Sequence, residues 1–129
     1  DELLFCIRES VDNMKWAGID GDVFCTKEGK VPFLSALQMY DCFEQIIELF
    51  LKTMETIFVR ISTDNGNLTL RIMIAQRLEK NNGQPVMIEQ VQSAFDENTR
   101  YKVIMEEDEW IIHVEKSVSK SQSSDQGRR

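Results

Sequence analysis

The chain has 129 residues, 42% of them apolar, and a formal net charge of −7 from 15 Lys and Arg against 22 Asp and Glu. That length suits one domain with a real core. The acidic balance argues against nucleic acid and against an anionic membrane surface, because both attract Lys and Arg rather than carboxylates.

Residues 117–129 carry Lys120, Arg128 and Arg129 against Asp125, a local +2, which leaves −9 on residues 1–116. No stretch approaches the ~18 apolar residues of a membrane span, and none has the pattern of a signal peptide. Beginning on Asp1 rather than Met, the sequence reads as a piece of something longer. Cys6, Cys25 and Cys42 are odd in number and widely spaced, with no CxxC. They suit reduced, small hydrophobes in a cytoplasmic protein and suggest neither a disulfide framework nor a metal site.

Residues 2–17 predict a helix with Leu3, Leu4, Ile7, Val11 and Met14 on one face. Gly18 suits its left-handed end, and Ile19 can fold back onto Met14. A short strand is expected at 21–26 and a turn at 27–30. Pro32 then introduces the central element, a helix over 33–56 with a wide apolar arc. Its polar residues Gln38, Asp41, Gln45, Glu48, Lys52 and Glu55 form one stripe, with Glu44 beside it. An arc so wide predicts a helix largely covered by other structure.

Residues 57–74 predict a β-hairpin. Asn65-Gly66 is a strong two-residue turn signal. Centring the turn there pairs Asp64 with Asn67, and then Thr63–Leu68, Ile61–Leu70, Val59–Ile72 and Ile57–Ile74 on one nearly apolar face. The agreement of turn and pattern sets the register. The other face pairs Ser62–Thr69, Arg60–Arg71 and Phe58–Met73. Two opposed arginines repel, and either a solvated face with nearby carboxylates or an anion or acidic-partner contact accounts for them. Residues 76–85 read as a polar loop. A short helix over about 86–96 follows, with Ile88, Val91, Ala94 and Phe95 inward. A second hairpin spans 100–116 around Glu106-Glu107-Asp108-Glu109. It pairs Tyr101–Val114, Val103–Ile112 and Met105–Trp110 on one face, and Lys102–His113 and Ile104–Ile111 on the other. Residues 117–129 have the composition of a disordered tail. The order predicts an α/β two-layer sandwich, with about five strands in one mixed sheet and three helices on one face.

Chemistry is sparse in this pattern. His113 is the only histidine, and no triad assembles around it. The acidic run 106–109 is consecutive, whereas Ca²⁺ loops space their ligands to converge, so it reads as a solvated turn. Glu44, Gln45 and Glu48 could hold a metal or a water from one side of the long helix, or could simply be solvated. No catalytic residue and no metal set is assigned.

A loop ending in Val31-Pro32, a helix carrying Tyr-x-x-Phe-x-x-Ile-Ile (residues 40–47), and Phe-Val-Arg-Ile followed by Asn-Gly-Asn-Leu-Thr-Leu-Arg-Ile (residues 58–61 and 65–72) resemble the ATP-binding domain of bacterial sensor histidine kinases, of the GHKL ATPase superfamily. The resemblance runs over residues 17–115. It implies that residues 1–16 end a preceding, dimerisation-type helix and that 17–116 form the ATPase-like domain. In that family a Glu, and an Asn four residues later, serve Mg²⁺ and the phosphates. Here Gln45 and Leu49 fall at those positions. The family's Asp-x-Gly-x-Gly, whose Asp reads the adenine, is replaced by Ala75-Gln76-Arg77-Leu78. Of the glycine-rich lid only Asn81-Asn82-Gly83 is present. The resemblance therefore implies a kinase-like scaffold that has lost nucleotide, needs no cofactor, and works through a protein partner or self-association by its N-terminal helix. Two alternatives stand beside it: a divergent but active ATP and Mg²⁺ site using Glu44, Gln45 or Glu48, and an unrelated α/β protein-interaction domain.

Overall fold

The computed structural model describes residues 2–26, 31–64, 66–77, 86–97 and 99–117. The expected turn at 27–30, the conformation of Asn65, the Asn81-Asn82-Gly83 segment, Pro85 and the tail beyond Ser117 lie outside the described residues. The order is α1 (Glu2–Met14), β1 (Asp20–Cys25), α2 (Phe33–Phe50), β2 (Met54–Asp64), β3 (Asn67–Gln76), α3 (Ile88–Gln92), β4 (Arg100–Glu106) and β5 (Glu109–Ser117). The five strands form one sheet in the order β1-β2-β3-β5-β4. β1 and β2 run parallel and the other neighbours antiparallel. This is the predicted mixed five-stranded α/β sandwich.

α1 presents Leu3, Ile7, Val11 and Met14 to the core. It ends in a short 3₁₀ turn, Lys15–Ala17, and Gly18 at φ 81°. Ile19 N–H donates to the Met14 carbonyl at 3.2 Å and Gly18 N–H to the Lys15 carbonyl at 3.0 Å, the two bonds of a Schellman end. The α1 apolar face, Leu3, Ile7, Val11 and Met14, belongs to the same buried cluster as α2 and the sheet. Gly21 of β1 lies where α1 crosses close. A Cβ there would stand 2.7 Å from both Ile57 Cγ2 and Val11 Cγ1.

α2 is shorter than the predicted 33–56. Thr53 N–H donates to the Phe50 carbonyl at 3.0 Å, and Met54 and Thr56 already pair with Gln76 and Ala75 of β3. Strand pairing overrides helix propensity for the last residues. Lys52 therefore sits in a turn and Glu55 in β2, where Glu55 pairs with Arg77. Met39, Cys42, Phe43, Ile46, Ile47 and Phe50 are buried, but the first turns are not covered as expected. Phe33 is 68% and Leu34 61% exposed, and Phe5 of α1 is 64% exposed.

Both hairpins have the predicted registers, from Asp64–Asn67 through Ile57–Ile74 and from Tyr101–Val114 through Met105–Trp110. Gly66 has φ 79° and Glu107 φ 54°, the positive φ that tight antiparallel turns require. α3 is five residues, not the predicted eleven. Its start is capped by Gln90 Oε1, which accepts Met87 N–H at 2.8 Å. Its end comes early because Ser93 Oγ donates to the Gln90 carbonyl at 2.7 Å, a side-chain bond that competes with helix propagation. Val91 is buried, but Ile88 faces solvent, against expectation. No helix of the described residues is long and apolar enough to cross a membrane.

Gly21→Ala is expected to lower stability by about 1–3 kcal/mol, the usual cost of overpacking. Urea unfolding checks this. An unchanged midpoint would mean that α1 is not seated against β1.

Candidate functional site

α2 lies between α1 on one side and the α3–β4 connection on the other, and its polar stripe divides between them. On the α1 side, Ser10 Oγ donates to Glu44 Oε2 at 2.9 Å and lies 3.0 Å from Tyr40 Oη. Burial raises the Tyr40 phenol above its ordinary pKa. The Ser10 hydroxyl opposes that rise, and Glu44 adds to it. Glu44 is thus engaged in the α1–α2 seam. Glu48 is exposed and Leu49 half-buried, with Leu49 packed against the core. Of the three predicted site residues, Gln45 lines a cavity.

That cavity is a cleft of about 320 Å³ between α2 and residues 93–99. Gln38, Asp41, Cys42 and Gln45 line one wall, and Asp96, Thr99 and Lys116 stand opposite. Thr99 Oγ1 donates to Asp96 Oδ1 at 2.8 Å, and Lys116 Nζ donates to Thr99 Oγ1 at 3.4 Å. Burial pushes the Cys42 thiol up to about 12. Asp96 adds to the rise and Lys116 opposes it. A thiol held protonated is no nucleophile near neutral pH. The cleft can hydrogen-bond a small polar molecule but carries no assembled acid–base pair. Among the described residues, no three of His, Cys, Asp and Glu converge as a metal site.

The end of β3 is a different environment. Gln76 is 6% exposed, Thr53 3% and Trp110 1%. The Gln76 amide nitrogen donates to Thr53 Oγ1 at 2.7 Å, and its carbonyl oxygen accepts Trp110 Nε1–H at 2.9 Å. Gln76 N–H donates to the Asp108 carbonyl and Arg77 N–H to the Thr53 carbonyl, both at 2.8 Å. Trp110 meets Phe50 edge to face, with ring centroids 5.1 Å apart. One side chain therefore ties the end of α2, β3 and the β4–β5 turn together. Gln76, expected at the start of a polar loop, is instead the last residue of β3. No local pattern marks it, because its partners lie 23 and 34 residues away. Leu49 has no oxygen to offer a cation, and both ends of the Gln76 amide are engaged by Thr53 and Trp110.

His113 lies on the open face of the sheet, between Arg71 and Lys102, with Nε2 4.0 Å from Glu115 Oε2. The acidic run is a tight turn, Glu106 opposite Glu109.

No family model and no curated protein matches this sequence. Solved structures do match in fold. Histidine kinase AdeS of Acinetobacter baumannii has a TM-score of 0.58 at 8% identity, covering 92% of this chain and 64% of that one. A blue-light-activated histidine kinase of Erythrobacter litoralis has a TM-score of 0.60 at 13% identity, over 90% of this chain and 59% of that one. The nucleotide-free catalytic domain of histidine kinase ThkA has a TM-score of 0.58 at 9% identity, over 91% of this chain and 88% of that one. ThkA has also been solved in complex with the response regulator protein TrrA. The chain thus spans less than two thirds of the AdeS and Erythrobacter chains. Its fold is that of histidine kinase catalytic domains, and the resemblance read from the sequence is borne out at that level.

Gln76→Ala orphans the Trp110 indole N–H in a buried site and is expected to cost on the order of 3 kcal/mol, since each orphaned group costs ~1–3. Denaturant unfolding measures it, and a loss below about 0.5 kcal/mol would contradict the network. The Cys42 thiol is expected to resist thiol reagents at neutral pH until the protein unfolds. Its folded pKa of about 12 lies above its ordinary value of 9.0. The sign follows: this contribution to stability is complete below about pH 9 and is lost as pH rises toward 12. Alkaline unfolding followed by circular dichroism should show it, and Cys42→Ala should flatten that limb.

Proposed function

We propose that this chain is an ATPase-like domain of a bacterial two-component-type signalling protein, working in the cytoplasm without nucleotide. It acts by binding a protein partner or by self-association through its N-terminal helix. The observation that carries this reading is the engagement of Gln76. Gln76 lies in the segment 75–78 that the resemblance sets against the family's adenine-reading Asp-x-Gly-x-Gly, and its side chain bonds internally to Thr53 and Trp110. Leu49, packed against the core at the Mg²⁺-serving position, supports the same reading.

Residues 1–16 then continue a dimerisation-type helix into the ATPase-like unit 17–116. Phe5 of α1, Trp16 of the turn after it, and Phe33, Leu34 and Leu37 of α2 are exposed apolar residues that such an assembly would cover. The ThkA–TrrA complex supports a protein partner for a scaffold of this kind. One observation favours a second reading, a divergent ATP and Mg²⁺ site: Gln45 lines an open cleft.

Thermal unfolding with millimolar ATP or ADP and Mg²⁺ tests the proposal. A ligand at a hundred times its Kd stabilises by about 2.7 kcal/mol, a shift of several degrees. The expected result is no shift. A saturable rise in Tm that requires Mg²⁺ would replace this reading with the second one.

A further inference from the structure

The helices cover one face of the sheet and leave the other open. On that face the strand registers place residues in rows running across the strands. One row, taken from β2 through β3 and β5 to β4, is Arg60, Arg71, His113 and Lys102. The row two residues along is Phe58, Met73, Ile111 and Ile104. A basic row thus borders an apolar row, the two about 6.8 Å apart, with a step of about 4.8 Å from strand to strand.

Among the described residues, no carboxylate pairs with Arg60, Arg71 or Lys102. Elsewhere Lys15 pairs with Asp12, Arg77 with Glu55 and Arg100 with Glu115. Glu115, the acid nearest His113, already holds Arg100 at 2.8 Å. Three unpaired cations in a chain of net charge −7 therefore share one row. Like charges directly opposite each other destabilise a sheet. Such a conflict, in a sheet whose turns and alternation otherwise agree, marks function rather than folding.

We infer that the open sheet face docks an acidic, amphipathic helix of a partner protein. Carboxylates on successive turns of that helix lie over the Arg60–Lys102 row, and its apolar side chains lie over the Phe58–Ile104 row. The spacing selects a helix. Successive turns rise about 5.4 Å, close to the interstrand step, whereas same-face residues of a strand are about 6.8 Å apart. The charge selects an acidic partner. The aliphatic row, with Phe58 its one aromatic, offers no series of stacking platforms for nucleic-acid bases. This surface is separate from the α1–α2 patch and does not depend on whether nucleotide binds.

The test uses a fluorescent synthetic helical peptide with Glu along one flank and Leu along the other, and a scrambled peptide of the same composition. The expected result is anisotropy binding by the patterned peptide only, weakened by salt. Amide shifts should fall on residues 58–60, 71–73, 102–104 and 111–113. Arg60→Glu should weaken binding at least about tenfold, as loss of an interfacial charge contact does. The same change should raise Tm, because it turns an Arg–Arg opposition into an opposite-charge pair. Lys15→Glu, in the turn after α1, should leave binding unchanged. Absence of binding, equal binding of the scrambled peptide, shifts confined to α1 and α2, or a lower Tm for Arg60→Glu would overturn the inference. So would single-stranded RNA or phosphatidylserine vesicles displacing the peptide from this face.

Discussion

The amide of Gln76 holds together parts of the chain that are distant in sequence. Its two ends satisfy Thr53, where α2 gives way to β2, and Trp110, at the start of β5. All three side chains are buried, where a lost partner costs far more than the bond contributes at the surface. Trp110 in turn packs against Phe50, the last residue of α2. The end of the central helix, the middle of the sheet and the β4–β5 turn are thereby fixed to one another. The position at the end of β3 is structural as it stands, and a side chain so engaged cannot also read a ligand.

α2 separates two surfaces. Toward α1 its first turns leave Phe33, Leu34 and Leu37 uncovered. Toward α3 it lines a polar cleft in which the only thiol is held neutral by burial. The far side of the sheet adds a third surface, basic and apolar in adjacent rows. The histidine kinase catalytic domains that share the fold show what scaffold this is, and fold alone does not carry function.

Much of the architecture was legible in the sequence because it is locally encoded. Asn65-Gly66 and strict alternation were enough to place every predicted pair of β2 and β3. Alternation alone did the same for β4 and β5 despite a turn of four acids. The Gly18 helix end followed from glycine's freedom at positive φ. Helix ends were less legible. Residues 54–56 suit a helix as well as a strand, and pairing with β3 decides between them. At the candidate site, spacing could not tell Gln45, which lines the cleft, from Glu44, which turns to Ser10. The Gln76–Trp110 bond and the joining of the Arg60–Arg71 and Lys102–His113 pairs into one row were not legible, for one reason. Each depends on β5 lying beside β3, and no local signal in the sequence encodes that neighbour.

The central claim is that a kinase-like scaffold here works with its nucleotide positions committed to its own packing. The most direct measurement is a titration of isotopically labelled protein with Mg–ATP, followed amide by amide at millimolar ligand. The account predicts that Gln45, Leu49, Thr53, Gln76 and the Trp110 indole keep their resonance positions throughout. Saturable shifts converging on those groups would contradict it.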